Sequence, residues 1–562
     1  MDSAEPHQGP QTARRPSAAR RPRLLQAAMI VMAAFVLSRV LGLVREMVIS
    51  HQFGTSHALD AYRAAFNIPD LIFTLVAGGA LGSAFIPTFT GYLAHRRDDE
   101  AWRLASGVFN LALLALTAAA LLVGALAPYL VPLIVPGFQS DPQTLSLTVD
   151  LVRIMLLSPI LAGLSGILMG ILNSYQHFLL PALAPVVYNL GIIGGAVFLA
   201  PTMGVRGLAV GVVVGAALHL SIQIPGLFLL RPAHRVFSRS GPALPAQTAL
   251  PELGRVRATY QLGLALDHPG VREVGRLMLP RVFGLAAMQL NYLVNTILAS
   301  TLAFGSLAAL TFAWQLTTLP WGIFAMAIST VSFPTLAAAA AREEMAALQS
   351  TLSSALRIIL YLTIPAGVAL FALREPVVAV LFQRGEFNAA STQSVAWALA
   401  FYAPGLVALG VTEIITRAFY ALHNTRTPVT IAVITVAVNV ALSLAFIGPL
   451  SHGGLALAAT LANSGEAVAL LILLRSRLSG LGEPRLVASA GRSLTSALIM
   501  GVFLAVAWPV LASALQASQS IGLLLAVGAE IAGGGLVYLG TTMLLGSEEI
   551  TALKERLLTR GP

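Results

Sequence analysis

Runs of apolar residues long enough to cross a lipid bilayer follow one another along this chain, separated by short polar turns. A helical span needs about 20 such residues to cross roughly 30 Å of hydrocarbon, and about fourteen runs reach that length. The ninth covers roughly residues 353 to 382, and the tenth roughly 392 to 420. Because a helix satisfies its own backbone hydrogen bonds in lipid, the pattern predicts an all-α polytopic membrane protein with about 14 transmembrane helices.

The composition supports this fold class and excludes several kinds of chemistry. Only 10% of the 562 residues are charged and 57% are hydrophobic, whereas soluble domains carry about 25% charged residues. The chain contains no cysteine, which excludes a disulfide framework, a thiolate metal site and a cysteine nucleophile. His219 and Gln223 lie one helical turn apart, but a metal site needs more ligands. We therefore expect no metal and no cofactor.

Basic residues collect on alternate connections between the apolar runs, and the formal net charge is +10. The basic residues of these connections are Arg14, Arg15, Arg20, Arg21, Arg23, Arg96, Arg97, Arg103, Arg231, Arg235, Arg239, Arg255, Arg257, Arg272, Arg475, Arg477, Arg485, Lys554, Arg556 and Arg560. Loops rich in Lys and Arg stay on the cytoplasmic side. Both termini and the loop from 231 to 273 are therefore predicted to be cytoplasmic. The excess positive charge is explained by the membrane topology, so we expect no nucleic-acid partner.

The chain contains an internal repeat, in which short segments of the first half return in the second. Ser38–Gly42 returns as Pro280–Gly284, and Gly207–Ala209 returns as Gly454–Ala456. Six spans bring the chain back to its starting side, so two lobes in the same orientation are expected. The predicted divisions are 1–23, a disordered basic cytoplasmic tail; 24–230, the first lobe with spans one to six; 231–273, a basic cytoplasmic loop; 274–477, the second lobe with spans seven to twelve; and 478–562, two more spans and the C-terminus. Repeated lobes around a midplane cavity are typical of alternating-access transporters.

Charged residues inside the first two runs are the strongest functional signal. A charge at the bilayer centre costs at least about 2.5 to 3.5 kcal/mol, so it usually faces protein or a water-filled cavity. At 100° per residue, one side of the first run carries Arg39, Gly42, Arg45 and Glu46, and one side of the second carries Asp60 and Arg63. Guanidinium groups offer forked donors that match phosphate. The first lobe is therefore predicted to bind an anion.

Two alternative interpretations of these charges remain open. Arg45 and Glu46 lie near the end of the first run, where long side chains can reach the interface, and Glu46 is then an ion-pair or proton site. Asp60 either belongs to the cavity or forms a structural ion pair with one of the arginines. Small residues at Gly42, Gly78, Gly79 and Gly82 permit close helix approach and are candidate packing or gating positions.

The second half carries fewer intramembrane charges. Glu413 and Arg417 lie one helical turn apart, which predicts a self-neutralising pair. Glu466 stands alone among apolar neighbours and is a candidate proton site. The stretch around Asn439 has no carboxylate, so a sodium site there is not supported. No GxxxxGK[ST] nucleotide-binding pattern occurs, which leaves the membrane potential or an ion gradient as the energy source.

Eight stretches of the chain match one family. They read SRVLGLVRE (38–46), FGTSHALDAYRAAFNIPDL (53–71), GGALGSAFIP (78–87), PGF (136–138), LNSYQHFLLPALAPVVYN (172–189), LFQRGEF (381–387), TRAFYALHNTRTP (416–428) and AFIGPLSHGGLALA (445–458). In them the chain resembles the MurJ (MviN) family of lipid II flippases, within the multidrug/oligosaccharidyl-lipid/polysaccharide exporter superfamily. The last two apolar runs match only in position and hydrophobicity.

The resemblance implies a transporter and not an enzyme. Members move lipid II, the undecaprenyl-pyrophosphate-linked disaccharide pentapeptide, from the inner to the outer leaflet for peptidoglycan synthesis. It implies a multi-pass protein of the bacterial plasma (inner) membrane, with two six-helix lobes around a cationic cavity and two further helices that shape a groove for the lipid tail. The implied partners are lipid II, membrane lipids and cell-wall synthesis proteins.

The resemblance also assigns residues. Arg39 and Arg45 match two cavity arginines that the family needs, and Asp60 matches its second-span aspartate. The family often has two more arginines, one in the second span and one in the eighth.

At those two places this chain reads Ile72–Thr74 and Trp314–Leu316, without a positive charge. We expect Arg63 to act as the substitute that contacts pyrophosphate, and Gln315 to line the cavity from the eighth span.

Rival functions fit the same architecture. One is an exporter of another lipid-linked glycan or of amphipathic compounds, although the arginines argue against cationic drugs. Another is a membrane enzyme, which needs clustered carboxylates or histidines at a membrane face; the sequence shows none, since Arg342–Glu344 fits a solvated turn. A third is a nontransporting scaffold for cell-wall synthesis that recruits partners through the basic tail and the loop from 231 to 273.

Overall fold

The computed structural model describes residues 21–76, 80–230, 259–478, 480, 483–515 and 520–550. These ranges form helices joined by short turns and contain no strand. Within them, the side chains of 21–30, 76, 80–83, 279–281, 283–288, 483 and 520 are not described. Most of the predicted basic tail and most of the loop from 231 to 273 lie outside the described residues.

The helices follow the apolar runs closely. In chain order they are α1 Arg21–Phe53, α2 His57–Val76, α3 Ala80–Ala94, α4 Asp98–Ile134, α5 Pro142–Ser174, α6 Leu179–Met203, α7 Val205–Phe228, α8 Pro269–Ser300, α9 Ser306–Ala341, α10 Met345–Ala372, α11 Arg374–Phe382, α12 Ala389–Tyr402, α13 Gly405–Ala421, α14 Arg426–Leu450, α15 His452–Leu478, α16 Glu483–Ala514 and α17 Ser520–Leu544. A π-helical turn, Trp321–Ala325, interrupts α9 directly after Pro320. Such turns occur frequently at functional sites.

Ten helices of the described chain are long and apolar enough to cross a membrane, or eleven if α12 and α13, which are bent by 48°, count as one span. Helices α1 and α8 are also long, with 33 and 32 residues. The all-α polytopic fold is confirmed. The total of fourteen spans stays a prediction.

Prolines explain where the helices depart from the predicted runs. The ninth run does not form one helix, because α10 ends at Ala372 and the short α11 begins at Arg374. Pro376 lies in the first turn of α11, where a missing N–H is tolerated, and its ring clashes with the carbonyl of residue 372, the residue at which α10 ends. The tenth run bends at Pro404, between α12 and α13, for the same reason.

Helix α14 shows the reversed burial pattern expected in lipid. Its buried residues are Pro428, Asn439 and Ser443. Its exposed large side chains are Val429, Val433, Ile434, Val438 and Leu444. Polar groups inside and branched apolar groups outside are the arrangement that a hydrocarbon solvent favours.

The two halves share a core on one side of the molecule. The largest cluster of buried side chains contains Ile49, Leu59 and Phe138 of the first half together with Phe312 and Phe387 of the second. All of these lie near the turns after α1, α4, α8 and α11, the side that the charge pattern predicts to be extracellular. A second cluster of described residues, from Ala325 to Leu486, belongs to the second half alone. The halves therefore pack together on the predicted extracellular side, and the start of α8 also packs against α3 and α4 of the first half.

The last two helices attach to the second half. Helices α16 and α17 pack against each other and against α10. The Tyr538 hydroxyl donates to the backbone oxygen of Tyr361 at 2.7 Å, and Met500 and Leu504 are buried in the same cluster. They add a third group of helices beside the second half, as their position in the sequence suggested.

Candidate functional site

Glu46 lies between two arginines at the junction of the first two helices. Arg45 donates to Glu46 Oε1, with Nη2 at 2.7 Å and Nε at 3.2 Å. Arg63, from α2, pairs with Glu46 Oε2. The Glu46 side chain is 1% exposed, while the arginines retain 21% and 13%. We call Arg45, Glu46 and Arg63 the charged cluster.

The local fold brings these three side chains together. Helices α1 and α2 are joined by a short turn at Gly54, whose φ of +55° suits glycine. Arg63 therefore reaches back to the end of α1, and its guanidinium lies over the ring of Phe312 from α9, 5.4 Å from the ring centre. Residues from both halves shape the cluster.

Asn189 holds the other side of Arg45. Its Oδ1 accepts from Arg45 Nη1 at 3.1 Å, and its Nδ2 donates to the backbone oxygen of Ser38 at 3.3 Å. This residue of α6 was not predicted as part of the site, although a buried amide in an apolar run was a signal for it.

The charged cluster carries a net charge of +1, because two guanidinium groups face a single carboxylate. Arg63 Nε has no hydrogen-bond partner and is shielded from solvent. A buried donor without an acceptor is costly, so the cluster is suited to an additional anion.

Arg39 lies apart from the cluster and is exposed. It is six residues before Arg45 on α1, which places it about 9 Å closer to the predicted cytoplasmic side. Its guanidinium carbon is 5.2 Å from the centre of the Phe35 ring. It also approaches α9, where a Cβ added at Gly322 would lie 3.9 Å from it. No acidic side chain among the described residues pairs with Arg39, so its charge is available to a ligand.

Asp60 does not pair with any of the arginines, contrary to one of the two alternatives. Its side chain is buried and caps the start of α9, where Oδ2 accepts from Gly305 N at 2.5 Å and Oδ1 accepts from Ala308 N at 2.7 Å. A carboxylate at a helix start satisfies otherwise free N–H groups and complements the helix dipole. The structure thus uses Asp60 to join the two halves, and its oxygens are not directed to the charged cluster.

Gln315 is half-buried on α9, one turn beyond Phe312. Its backbone oxygen accepts from the Thr318 hydroxyl at 3.0 Å. Its amide makes no hydrogen bond with another described residue.

The glycines predicted to act in packing or gating differ in what the structure shows around them. A Cβ added at Gly42 would meet nothing within 4 Å, so the close packing expected there is absent in this conformation, where the helix face borders open space. Gly82 lies on α3, but its surroundings are not described, and Gly78 and Gly79 lie outside the described residues. Close glycine contacts lie elsewhere: a Cβ added at Gly191 of α6 would overlap Gly215 of α7, and one at Gly54 would overlap Glu386 on the predicted extracellular side.

At that side, the loop after α11 rests on the end of α1. Glu386 N donates to His51 O at 2.9 Å, and Thr55 Oγ1 lies 2.8 Å from Ser391 Oγ. Gly385, with φ +60°, lies so close to His51 that a Cβ would overlap it. These contacts and the Asp60 cap hold the two halves together on the predicted extracellular side.

The charged residues of the second half are placed as follows. The predicted ion pair is present, with Arg417 Nη2 at 2.8 Å from Glu413 Oε1. Glu466, half-buried on α15, forms no ion pair with a described residue. Asn439 donates to Asn291 Oδ1 at 2.8 Å, which makes this amide pair a link between helices α14 and α8.

The predicted pair of His219 and Gln223 belongs to a hydrogen-bonded cluster with Ser165. The Ser165 hydroxyl lies 2.6 Å from His219 Nδ1, and Gln223 Nε2 donates to the same hydroxyl. Among the described residues there is no group of three or more His, Asp or Glu side chains placed to hold a metal. The cluster connects α5 and α7.

A family model described as lipid II flippase MurJ matches residues 49–528. The chain belongs to this family. It is 32% identical over 449 residues to a lipid II flippase MurJ of Burkholderia cenocepacia, a match that covers 79% of this chain and 82% of the relative. It is 29% identical to a probable lipid II flippase MurJ of Rhizobium tropici over 93% and 94% of the two chains.

Two solved structures share the fold of this chain. A structure of lipid II flippase MurJ in an inward closed conformation has a TM-score of 0.74 and 24% identity, and it covers 93% of this chain and all of its own. An inward-facing multidrug resistance transporter of the MATE family, from the MOP superfamily, has a TM-score of 0.62 with 18% identity over 81% of this chain. Both likenesses concern the fold alone.

Proposed function

We propose that this MurJ family member moves lipid II across the bacterial plasma membrane by alternating access, and that Arg39, Arg45 and Arg63 bind the pyrophosphate. The family assignment supports the lipid II substrate. The observation that carries the binding site is the net positive charged cluster with the unpaired Arg39 beside it.

The geometry suits a diphosphate. Arginine offers planar, forked donors that bind phosphate oxygens in pairs, and low-dielectric surroundings strengthen the attraction. Glu46 orients Arg45 and Arg63 before the ligand arrives, so less side-chain entropy is lost on binding. Arg39 lies closer to the cytoplasmic leaflet and is expected to meet the head group first.

Transport requires the two halves to separate on the predicted extracellular side. The polar contacts there are the Asp60 cap, the Thr55–Ser391 contact and the Glu386–His51 hydrogen bond, and they accompany the apolar core that both halves share. Hydrogen bonds of this kind contribute about 0.5 to 1.5 kcal/mol each, so bound substrate can offset the loss of the polar contacts. In this proposal both termini are cytoplasmic, as the basic connections suggest.

Purified protein in proteoliposomes tests the binding site. Fluorescent lipid II is followed from one leaflet to the other, and the Arg39→Ala, Arg45→Ala double variant is expected to lose at least about 90% of the flipping rate, as loss of two charge-assisted contacts predicts. The control is Arg206→Ala, which removes an exposed arginine paired with Asp150 and should flip at the wild-type rate. Wild-type flipping by the double variant would refute the anion site.

Cell-wall synthesis proteins are proposed as further partners, through the basic N-terminal tail and the loop from 231 to 273. Deletion of both segments in cells separates this role from transport. Loss of growth with unchanged flipping in vesicles supports recruitment, whereas full complementation by the deleted chain removes it.

A further inference from the structure

An acidic side chain of the first half, Asp70 of α2, meets the second half inside the membrane. Its Oδ2 accepts from Nε2 of Gln289, on α8, at 2.6 Å, and the Asp70 side chain is exposed. A charge in contact with hydrocarbon is expensive, so an exposed carboxylate at this depth borders a water-filled space. Asp70 therefore belongs to the wall of the cavity between the halves, and the proposed pyrophosphate site does not use it.

Asp70 lies closer to the predicted cytoplasmic side than the charged cluster does. It is seven residues beyond Arg63 on α2, which corresponds to about 10 Å along the helix. Arg39 is displaced from Arg45 in the same direction by about 9 Å. The two charges thus lie at similar depth, but Arg39 approaches α9 whereas Asp70 contacts α8. Asp70 forms no ion pair with a described side chain.

Two oxygen acceptors remain at the contact between Asp70 and Gln289. Gln289 donates through Nε2, and neither its Oε1 nor Asp70 Oδ1 bonds to another described residue. Carboxylate and amide oxygens accept hydrogen bonds and cannot donate them. A ligand that satisfies both oxygens must supply several donors, and a positive charge is needed to balance Asp70. A primary ammonium group has three donors and no acceptor.

Two tyrosines near Asp70 suit the same ligand. Tyr292 lies one helical turn beyond Gln289 on α8 and is 54% exposed, and Tyr188 of α6 is half-buried. Both are close enough to Asp70 to interact with it electrostatically. The face of a tyrosine ring attracts a cation, and rings of this kind are used to recognise organic ammonium ligands.

We propose that Asp70, Gln289 and Tyr292 form a subsite for a primary ammonium group in the peptide part of the substrate. This inference rests on the proposed function, because it assigns a second part of lipid II to the same cavity. Stem peptides of peptidoglycan are cross-linked through the side-chain amine of a diamino acid, so the precursor carries that amine free. The head group is then held at two points of opposite charge, and the subsite favours precursors whose amine is unmodified.

Binding of two forms of lipid II to the purified full chain tests the proposal. Both forms have lysine in the stem peptide, and its ε-amine is free in one and acetylated in the other. The wild type should bind the free-amine form at least about tenfold more tightly, as expected for one charge contact. Asp70→Asn keeps the size of the side chain and removes its charge, so it should bind both forms equally.

The matched control is Asp150→Asn, which alters an exposed aspartate paired with Arg206 and should keep the wild-type preference. If Asp70 serves only to join α2 and α8, its replacement weakens the binding of both forms by the same factor. Equal affinity of the wild type for the two forms would overturn the subsite, and this comparison needs no variant to fold. An unchanged preference in Asp70→Asn would overturn it as well.

The Arg39→Ala, Arg45→Ala double variant separates this proposal from the pyrophosphate site. It should bind both forms of lipid II more weakly than the wild type while keeping the preference for the free amine. Weak binding by this variant, together with no amine preference in the wild type, refutes the ammonium subsite and leaves the arginine site standing. Unchanged binding by this variant, together with a clear amine preference in the wild type, refutes the arginine site and supports the subsite.

Discussion

At the residue scale, Glu46 determines how the first half carries its charge. Helical periodicity predicted Arg39, Arg45 and Glu46 on one side of α1, and the structure pairs Arg45 with Glu46 while Arg39 stays exposed and apart from them. It could not show that Arg63 would reach Glu46 while Asp60 turned to α9, because contacts between helices depend on how the helices pack. Asp60 found its partners at the start of a helix more than 240 residues later in the chain.

Glu46→Gln tests the role of this carboxylate. Both guanidinium groups would then face each other without a counter-charge. Loss of one partner from a fully buried pair costs about 3 to 5 kcal/mol, and the partial exposure of both arginines reduces the expected loss to about 2 to 3 kcal/mol. The thermal unfolding midpoint of the purified protein in detergent should fall clearly.

The comparison variant is Glu100→Gln. It breaks the exposed pair with Arg97, whose side chain is 55% accessible, and exposed pairs contribute at most about 1 kcal/mol. Equal midpoints for the two variants would contradict the account of the charged cluster.

At the element scale, the apolar runs predicted most helices, and prolines account for the departures at α11 and between α12 and α13. The closing contacts did not follow from periodicity, because they depend on turns: Gly385 adopts a backbone conformation that other residues rarely accept, and its contact with His51 exists only when both halves are in place. The motif LFQRGEF located this turn without showing what it touches.

Gly385→Ala should weaken the closure. The added Cβ overlaps His51 and is strained at φ +60°, a cost of about 1 to 3 kcal/mol. The chain has no cysteine, so Ser391→Cys can serve as a single reporter. Ser391 is 4% exposed, and its replacement should react with a membrane-impermeant thiol reagent faster when Gly385→Ala is also present.

Gly91→Ala is the control for this experiment, since a Cβ there meets nothing within 4 Å. It should leave the labelling rate unchanged. The closure would need another explanation if Gly385→Ala labelled no faster than Gly91→Ala.

At the scale of the whole molecule, the internal repeat predicted two halves in the same orientation, and this division stays a prediction. The shared core shows what the repeat could not: side chains of both parts of the chain, Phe312 and Phe387 among them, meet in one buried cluster. Contacts between residues so far apart in the chain are not recorded in any local sequence pattern.

The central claim is that the halves must part on the predicted extracellular side during transport. A cross-link between Thr55→Cys and Ser391→Cys tests it most directly, because the two hydroxyls are 2.8 Å apart across the closure. The control pair, Thr90→Cys and Ser174→Cys, joins two helices of the first half, where the hydroxyls are 3.2 Å apart. Lipid II flipping is measured in proteoliposomes after oxidation and again after reduction. The account predicts that oxidation stops flipping only in the Thr55–Ser391 pair and that reduction restores it; continued flipping by the fully cross-linked protein would contradict it.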